Sequence, residues 1–302
     1  MRHSILMKLI ALLVSSYAVA TQAATETTEE MAFVSLNVND GGRKLVEGPV
    51  NTMLLAQAYN PGGVIPAAEE ERGMMSVWPT SRGVVLLTRP RIVSHTAPFN
   101  GGMKTYKRSN VAFMSGAIMT RTTAVFVIQA GGTLSNVIIA GGGGVFCETN
   151  NCALENVWFK DSIQGALHIN SGTGITTVTG GGARNVARRV IFGQASGTVV
   201  ISGGFYMENS GRLFESCGTC GPVKRGVIVD GVVSVNPTAE LIRMNSNYND
   251  RGTVSKATIV TSSTNYPVCS RFVGGAVPRR IGFGAFASTC YYKKADVTIR
   301  SP

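Results

Sequence analysis

Leu134-Ser-Asn-Val137 recurs twenty residues on as Leu154-Glu-Asn-Val157, and comparable β-rich runs begin near Ile175, Val199, Val227 and Val254. The offset drifts between about 20 and 28 residues, the period of chains that stack one short unit on the next. A unit of that size cannot bury an apolar face alone, so each coil must lie against its neighbour. High β-propensity, 36 glycines and no long helical period make this an all-β chain. The expected fold is a right-handed, single-stranded parallel β-helix. An antiparallel sandwich uses similar short strands, and Asp230-Gly231, between two β-rich runs, is a hairpin signal in its favour. Most other junctions are glycine runs or Asn-rich corners, which favour the solenoid.

The first residues have the form of a secretory signal. Arg2, His3 and Lys8 precede a short apolar core from Leu9 to Val14, and Ala18-Val19-Ala20 fits the small-x-small cleavage pattern. Residues 1–20 are therefore expected to be a signal peptide, with cleavage after Ala23 as the alternative. The core is too short for the roughly 20 residues that span a bilayer. A secreted, extracellular, soluble protein follows, with no membrane partner. Residues 21–76 show no sustained period and form an N-terminal extension or cap; Val50 to Tyr59 has the composition of a short helix. Residues 77–302 form the β domain.

Loss of Arg2 and Lys8 with the signal lowers the formal charge from +11 to +9. A basic surface suits a polyanion. The chain carries no nucleic-acid-binding module and no basic amphipathic helix, which leaves acidic polysaccharide or, equally on charge alone, scattered charge that only solubilises. Six cysteines in a secreted chain fit three disulfides. Local spacing pairs Cys147 with Cys152, Cys217 with Cys220 and Cys269 with Cys290, among about 15 arithmetical pairings. Cys217-Gly-Thr-Cys220 also has the spacing of a redox or zinc pair, but the chain has only three histidines to complete a zinc site.

Five stretches carry a specific resemblance: Asn100 to Asn110, Gly131 to Ile139, Cys152 to Trp158, Gly180 to Arg184 and Gly211 to Cys220. In this order they resemble the family-3 polysaccharide lyases, the pectate lyases, in their oomycete form, over roughly Trp78 to the C-terminus. The resemblance implies a parallel β-helix and calcium-dependent cleavage of de-esterified pectin by β-elimination. That reaction needs a metal to neutralise the uronate carboxylate, cations to stabilise the developing anion and a base for the C5 proton.

Carried over by position, most of those groups are replaced. The metal ligand before Gly-Val-x-Cys is Gly143, and the Glu-Asp pair before Ala166 is Gln164-Gly165. An acid survives as Asp161, beside Lys160, too little for a hard dication that wants several oxygens. Calcium, the family's cofactor, is therefore not expected at the family's site. The lysine after the Ala-Leu-x-Ile strand is Asn170, the arginine before Ser-Cys-Gly is Glu215, and only Arg189 retains a cation.

The expectation is a lyase fold with impaired catalysis that binds acidic plant cell-wall polysaccharide (pectate) or a host protein, as a monomer. Arg184, Arg188 and Arg189 on one coil are the candidate substrate-binding cations, with Lys224 and Arg225 as additional ones. The alternative is an active secreted pectate lyase whose groups are recruited elsewhere, for instance Glu148, Asp161 and Glu215 as a new metal cluster. His168 and Trp158 are expected to serve packing.

Overall fold

The computed structural model describes residues 78–113, 118–163 and 165–302. The expected signal and N-terminal extension, with Gln164, lie outside the described residues. One coil shows the plan. Val145–Thr149 lies on a first face, and the chain turns through the Cys147–Cys152 loop. Ala153–Lys160 then supplies a second and a third face by bending at Asn156. Residues 161–166 return the chain to the first face at Leu167–Ser171.

The repeat seen in the sequence is the ladder itself. Leu134 lies opposite Leu154 and Val137 opposite Val157, in parallel register. Val199 lies opposite Val227 three coils later. The first face is a nine-stranded sheet running from Arg91–Val93 to Arg279–Phe283. Alternation along its strands sends Val145, Cys147, Leu167, Ile169, Ile191, Phe214, Ile242 and Met244 into one continuous core. Their neighbours Phe146, His168, Phe192, Glu215 and Arg243 stack in register on the outside.

Corners are made by residues that accept the left-handed conformation. Asn136 and Asn156, both at φ 53°, bend the second face into the third, and the Asn156 amide donates to Asn136 Oδ1 at 2.8 Å. Asp161, Asn185, Asn209 and Asn236 form the equivalent stack between the third face and the first. Asp230-Gly231 is not a hairpin. Arg225–Val235 is one bent strand with Gly231 at φ 87°, parallel to Gly197–Ser202, Phe205–Glu208 and Arg251–Val260. Among the described strands the one antiparallel ladder joins Cys269–Val273 to Arg279–Phe283 at the C-terminal end. All three disulfides follow the local spacing, with Cα separations of 6.3, 5.5 and 5.8 Å.

Candidate functional site

The outward row of the first face changes character along its length. Phe146, His168 and Phe192 stack at ring separations of 5.1 and 5.2 Å. Met119, Ala124 and Val127 pack with Phe146 in a small cluster of their own. Burial pushes the His168 imidazole down to about 4, against the hydrogen bond with Gln194 at 3.2 Å that favours the charged form. His168 is therefore neutral at neutral pH and serves packing, as expected from its place in a strand.

Beyond Phe192 the row becomes charged. A cavity of about 230 Å³ opens there, lined by Ile118, Arg188, Arg189, Phe192, Glu215 and Arg243 among others. Glu215 reaches Arg188 at 3.5 Å, Arg189 at 3.5 Å and Arg212 at 3.1 Å. Glu240 accepts from Arg212 Nε at 2.9 Å and Arg243 Nε at 2.8 Å. Four guanidinium groups share two carboxylates, so the network keeps an excess of positive charge. Burial of Glu240 disfavours its charge, but the two arginines outweigh this and hold it below the usual carboxylate range.

Arg189 is the most enclosed member, with only 2 % of its surface exposed. Its guanidinium lies 4.1 Å over the Phe192 ring, and its Nε and Nη1 are buried without a hydrogen-bond partner. Burial lowers its pKa to about 10, with Glu215 opposing and the neighbouring arginines adding to the shift. Arg188, by contrast, has half its side chain in solvent.

The structure gathers Arg188, Arg189 and Glu215 and separates the other candidates from them. Arg184 stands on the third face, 4.5 Å over the Trp78 ring and 3.8 Å from Glu208. It does not join Arg188 and Arg189 despite sharing their coil. Trp158, edge-on to Trp78 at 5.1 Å, is buried and donates to Asn156. Asn170 lies on the outward side of the first face, outside the cavity lining. Arg225 is not available to a ligand. It is buried, donating its Nε to Gln194 O at 3.0 Å while its backbone amide donates to Asp250. Lys224 lines a separate depression with Arg251.

The acids do not converge either. Glu148 pairs with Arg121, and Asp161 takes a corner position, bonded to Asn185 at 2.9 Å and 3.8 Å from Lys160 Nζ. Neither joins Glu215, so the cluster of Glu148, Asp161 and Glu215 does not form. Among the described residues no three His, Cys, Asp or Glu side chains lie together as metal ligands. At Gly143 a Cβ would meet Phe113 Cζ and Val125 Cγ2 at 2.9 Å, so the space for a side chain is already filled by hydrocarbon. Gly165, at φ 97°, has its open side against the Arg189 backbone carbonyl at 3.1 Å. This donor set does not fit a hard dication. Glu240, Arg243 and Phe113 lie outside the motif stretches, and Arg212 lies within one without a signal of its own; the coil register brings Arg212 and Arg243 to this face.

The fold and the matched sequences agree on the family. The pectate lyase family matches residues 75–277. The chain is 38 % identical to probable pectate lyase D of Emericella nidulans over 221 residues, covering 71 % of this chain and 81 % of that one. It is 36 % identical to probable pectate lyase E of Aspergillus clavatus over 235 residues, covering 75 % and 88 %. Its structure is similar to pectate lyase PelI of Erwinia chrysanthemi in complex with tetragalacturonic acid (TM-score 0.56, 24 % identity, 72 % of this chain and 68 % of that one). It is also similar to Pel3 of Pectobacterium carotovorum (TM-score 0.57, 21 % identity, 72 % and 67 %). These likenesses fix the fold as a right-handed parallel β-helix. With the sequence match running through nearly the whole coil stack, the chain belongs to the pectate lyase family.

Proposed function

We propose that this protein is a secreted pectate-lyase-like protein in which calcium-dependent β-elimination is impaired and the charged cavity binds acidic polysaccharide. One observation carries the reading. The Gly143 position is closed by Phe113, while Glu215 stands among three arginines at a place where the family has a cation. Loss of a proton-transfer group costs about 10²- to 10⁴-fold, and loss of a charge-neutralising metal removes several kcal/mol of transition-state stabilisation. Binding makes a weaker demand than catalysis. Arginine in excess over glutamate supplies a planar fork for a carboxylate, and half-exposed Arg188 is placed to make first contact. That PelI is seen with tetragalacturonic acid supports the ligand class.

The test is ultraviolet detection of unsaturated product from polygalacturonate, with calcium and then with chelator, beside an active relative. The expected result is no product above background in either condition, with retention of the folded protein on immobilised polygalacturonate. Calcium-dependent product would establish an active lyase and overturn the impaired reading. Absence of both product and retention, with capture of a plant protein, would replace polysaccharide binding with protein binding.

A further inference from the structure

Residues 271–302 carry Arg271, Arg279, Arg280, Lys293, Lys294 and Arg300 against a single acid, Asp296. Most of this segment lies beyond the family match, which ends at residue 277. It also contains the one antiparallel ladder among the described strands, Arg279–Phe283 set against Cys269–Val273. An irregularity between Arg271 and Phe272 shifts the register there, and Arg280 comes to lie over the Phe283 ring at 4.9 Å. Arg271 lies over Phe286 at 4.0 Å, and Arg251 over Tyr291 at 5.0 Å. Backbone bonds between Phe286 and Cys290, at 2.7 and 2.8 Å, bring Phe286 beside the strand that carries Tyr291.

Phe283, Phe286 and Tyr291 remain 44 %, 46 % and 42 % exposed, so each ring has one surface under a guanidinium and another toward solvent. Among the described residues Arg271, Arg279 and Arg280 form no ion pair. This contrasts with the network at the cavity, where each of the four arginines meets a glutamate. Stacking holds a guanidinium flat while its N–H edges stay free to donate.

We infer that the C-terminal end of the coil stack is a second contact surface for acidic polysaccharide. Arg279 and Arg280 meet uronate carboxylates, and Phe283, Phe286 and Tyr291 meet the apolar faces of sugar rings. Charge complementarity selects a polyanion, and rings paired with guanidinium forks suit a chain that offers a carboxylate and a C–H face on each unit. Insertion into a membrane would drag stacked guanidinium groups toward hydrocarbon, which is costly. The choice of probe rests on the acidic-polysaccharide reading of the cavity; the surface adjoins that cavity at Pro278 but its arginines and rings are not among the lining residues.

Native electrophoresis of the full chain through gels containing polygalacturonate, highly methyl-esterified pectin or no polymer tests this. Expected is retardation by polygalacturonate that exceeds that by the esterified polymer. Arg279→Gln/Arg280→Gln should weaken it about tenfold, at the scale of two exposed ion pairs, without moving the thermal midpoint. Phe283→Ser/Phe286→Ser, which keeps the charge, should weaken it as well, and Arg279→Lys/Arg280→Lys should restore part of the loss. If the wild type is retarded and both Gln and Ser variants match it, the inference falls while the cavity reading stands, to be checked with Arg188→Gln. Failure of the wild type to bind overturns both. Binding to phosphatidylserine vesicles in place of polygalacturonate overturns the inference in favour of a membrane surface.

Discussion

A carboxylate within reach of three guanidinium groups is neutralised before any ligand arrives, and Glu215 is in that position. Its role is to let Arg189 be buried. Glu215→Gln keeps the shape and removes the charge, leaving a 2 %-exposed arginine without its counter-ion. The expected cost is about 3 kcal/mol, read as a lower urea midpoint. At Gly143 the issue is space. Gly143→Asp drives a side chain into Phe113 and Val125 and should destabilise by about 1–3 kcal/mol. In a double-mutant cycle Phe113→Ala should relieve part of that cost, and additive losses would sink the steric account. Calorimetry of the double variant with calcium should still show no binding, because Gly165 and the arginines remain. Arg189 and Glu215 were singled out from motif positions, and the fold brings the two together. Glu240 and Arg243 were not, since they lie outside the motif stretches and Glu240 reaches Arg212 only across the coil step. Arg225 looked available beside Lys224 because its burial depends on Asp250, a residue one coil further on.

The corner between the third and first faces is one element repeated, with Asp161, Asn185, Asn209 and Asn236 at φ between 46° and 55°. A short polar side chain tolerates this conformation and bonds along the stack, as Asn185 does to Asp161. Asn185→Ala loses both advantages and should cost about 1–2 kcal/mol, whereas Asn185→Gly, which keeps the backbone freedom, should cost less. Equal losses in the two variants, measured by denaturant unfolding, would show that backbone conformation does not matter at this corner. The other corner, between the second and third faces, was the legible one, because Leu-x-Asn-Val recurs at the coil period and places Asn136 and Asn156 at a bend; the Asp161 stack has no such repeated motif. Asp230-Gly231 misled for a related reason. A glycine at positive φ suits a hairpin turn and a β-helix corner equally, and only the parallel pairing on both sides of Gly231 distinguishes them.

At the scale of the molecule each coil touches only its neighbours, so stability is a chain of local terms. Some of those terms titrate. His168 is neutral in the fold with a pKa of about 4 and charges near 6.5 when unfolded, so the unfolded state binds more protons between these values. Stability is fully present above pH 6.5 and declines toward pH 4, by an amount on the order of 3 kcal/mol. Thermal midpoints across this window should fall for the wild type and flatten for His168→Phe. The ends of the stack carry a different term. Cys269–Cys290 closes a loop of sequence separation 21 and ties Cys290–Tyr291 to the last first-face coil. A cross-link over a loop of that size contributes about 3 kcal/mol, acting mainly on the unfolded chain. In a one-dimensional stack its removal should be felt where the strand frays. In Cys269→Ser/Cys290→Ser, amide exchange should speed up in Cys290–Tyr291, Val297–Arg300 and Arg279–Phe283 while residues 126–193 keep their protection. That variant should also lose affinity for polygalacturonate in step with the fraying, because Phe286 and Tyr291 are held by the same turn. Uniform loss of protection along the chain would show instead that the coils unfold as a single unit and that the end has no stability of its own.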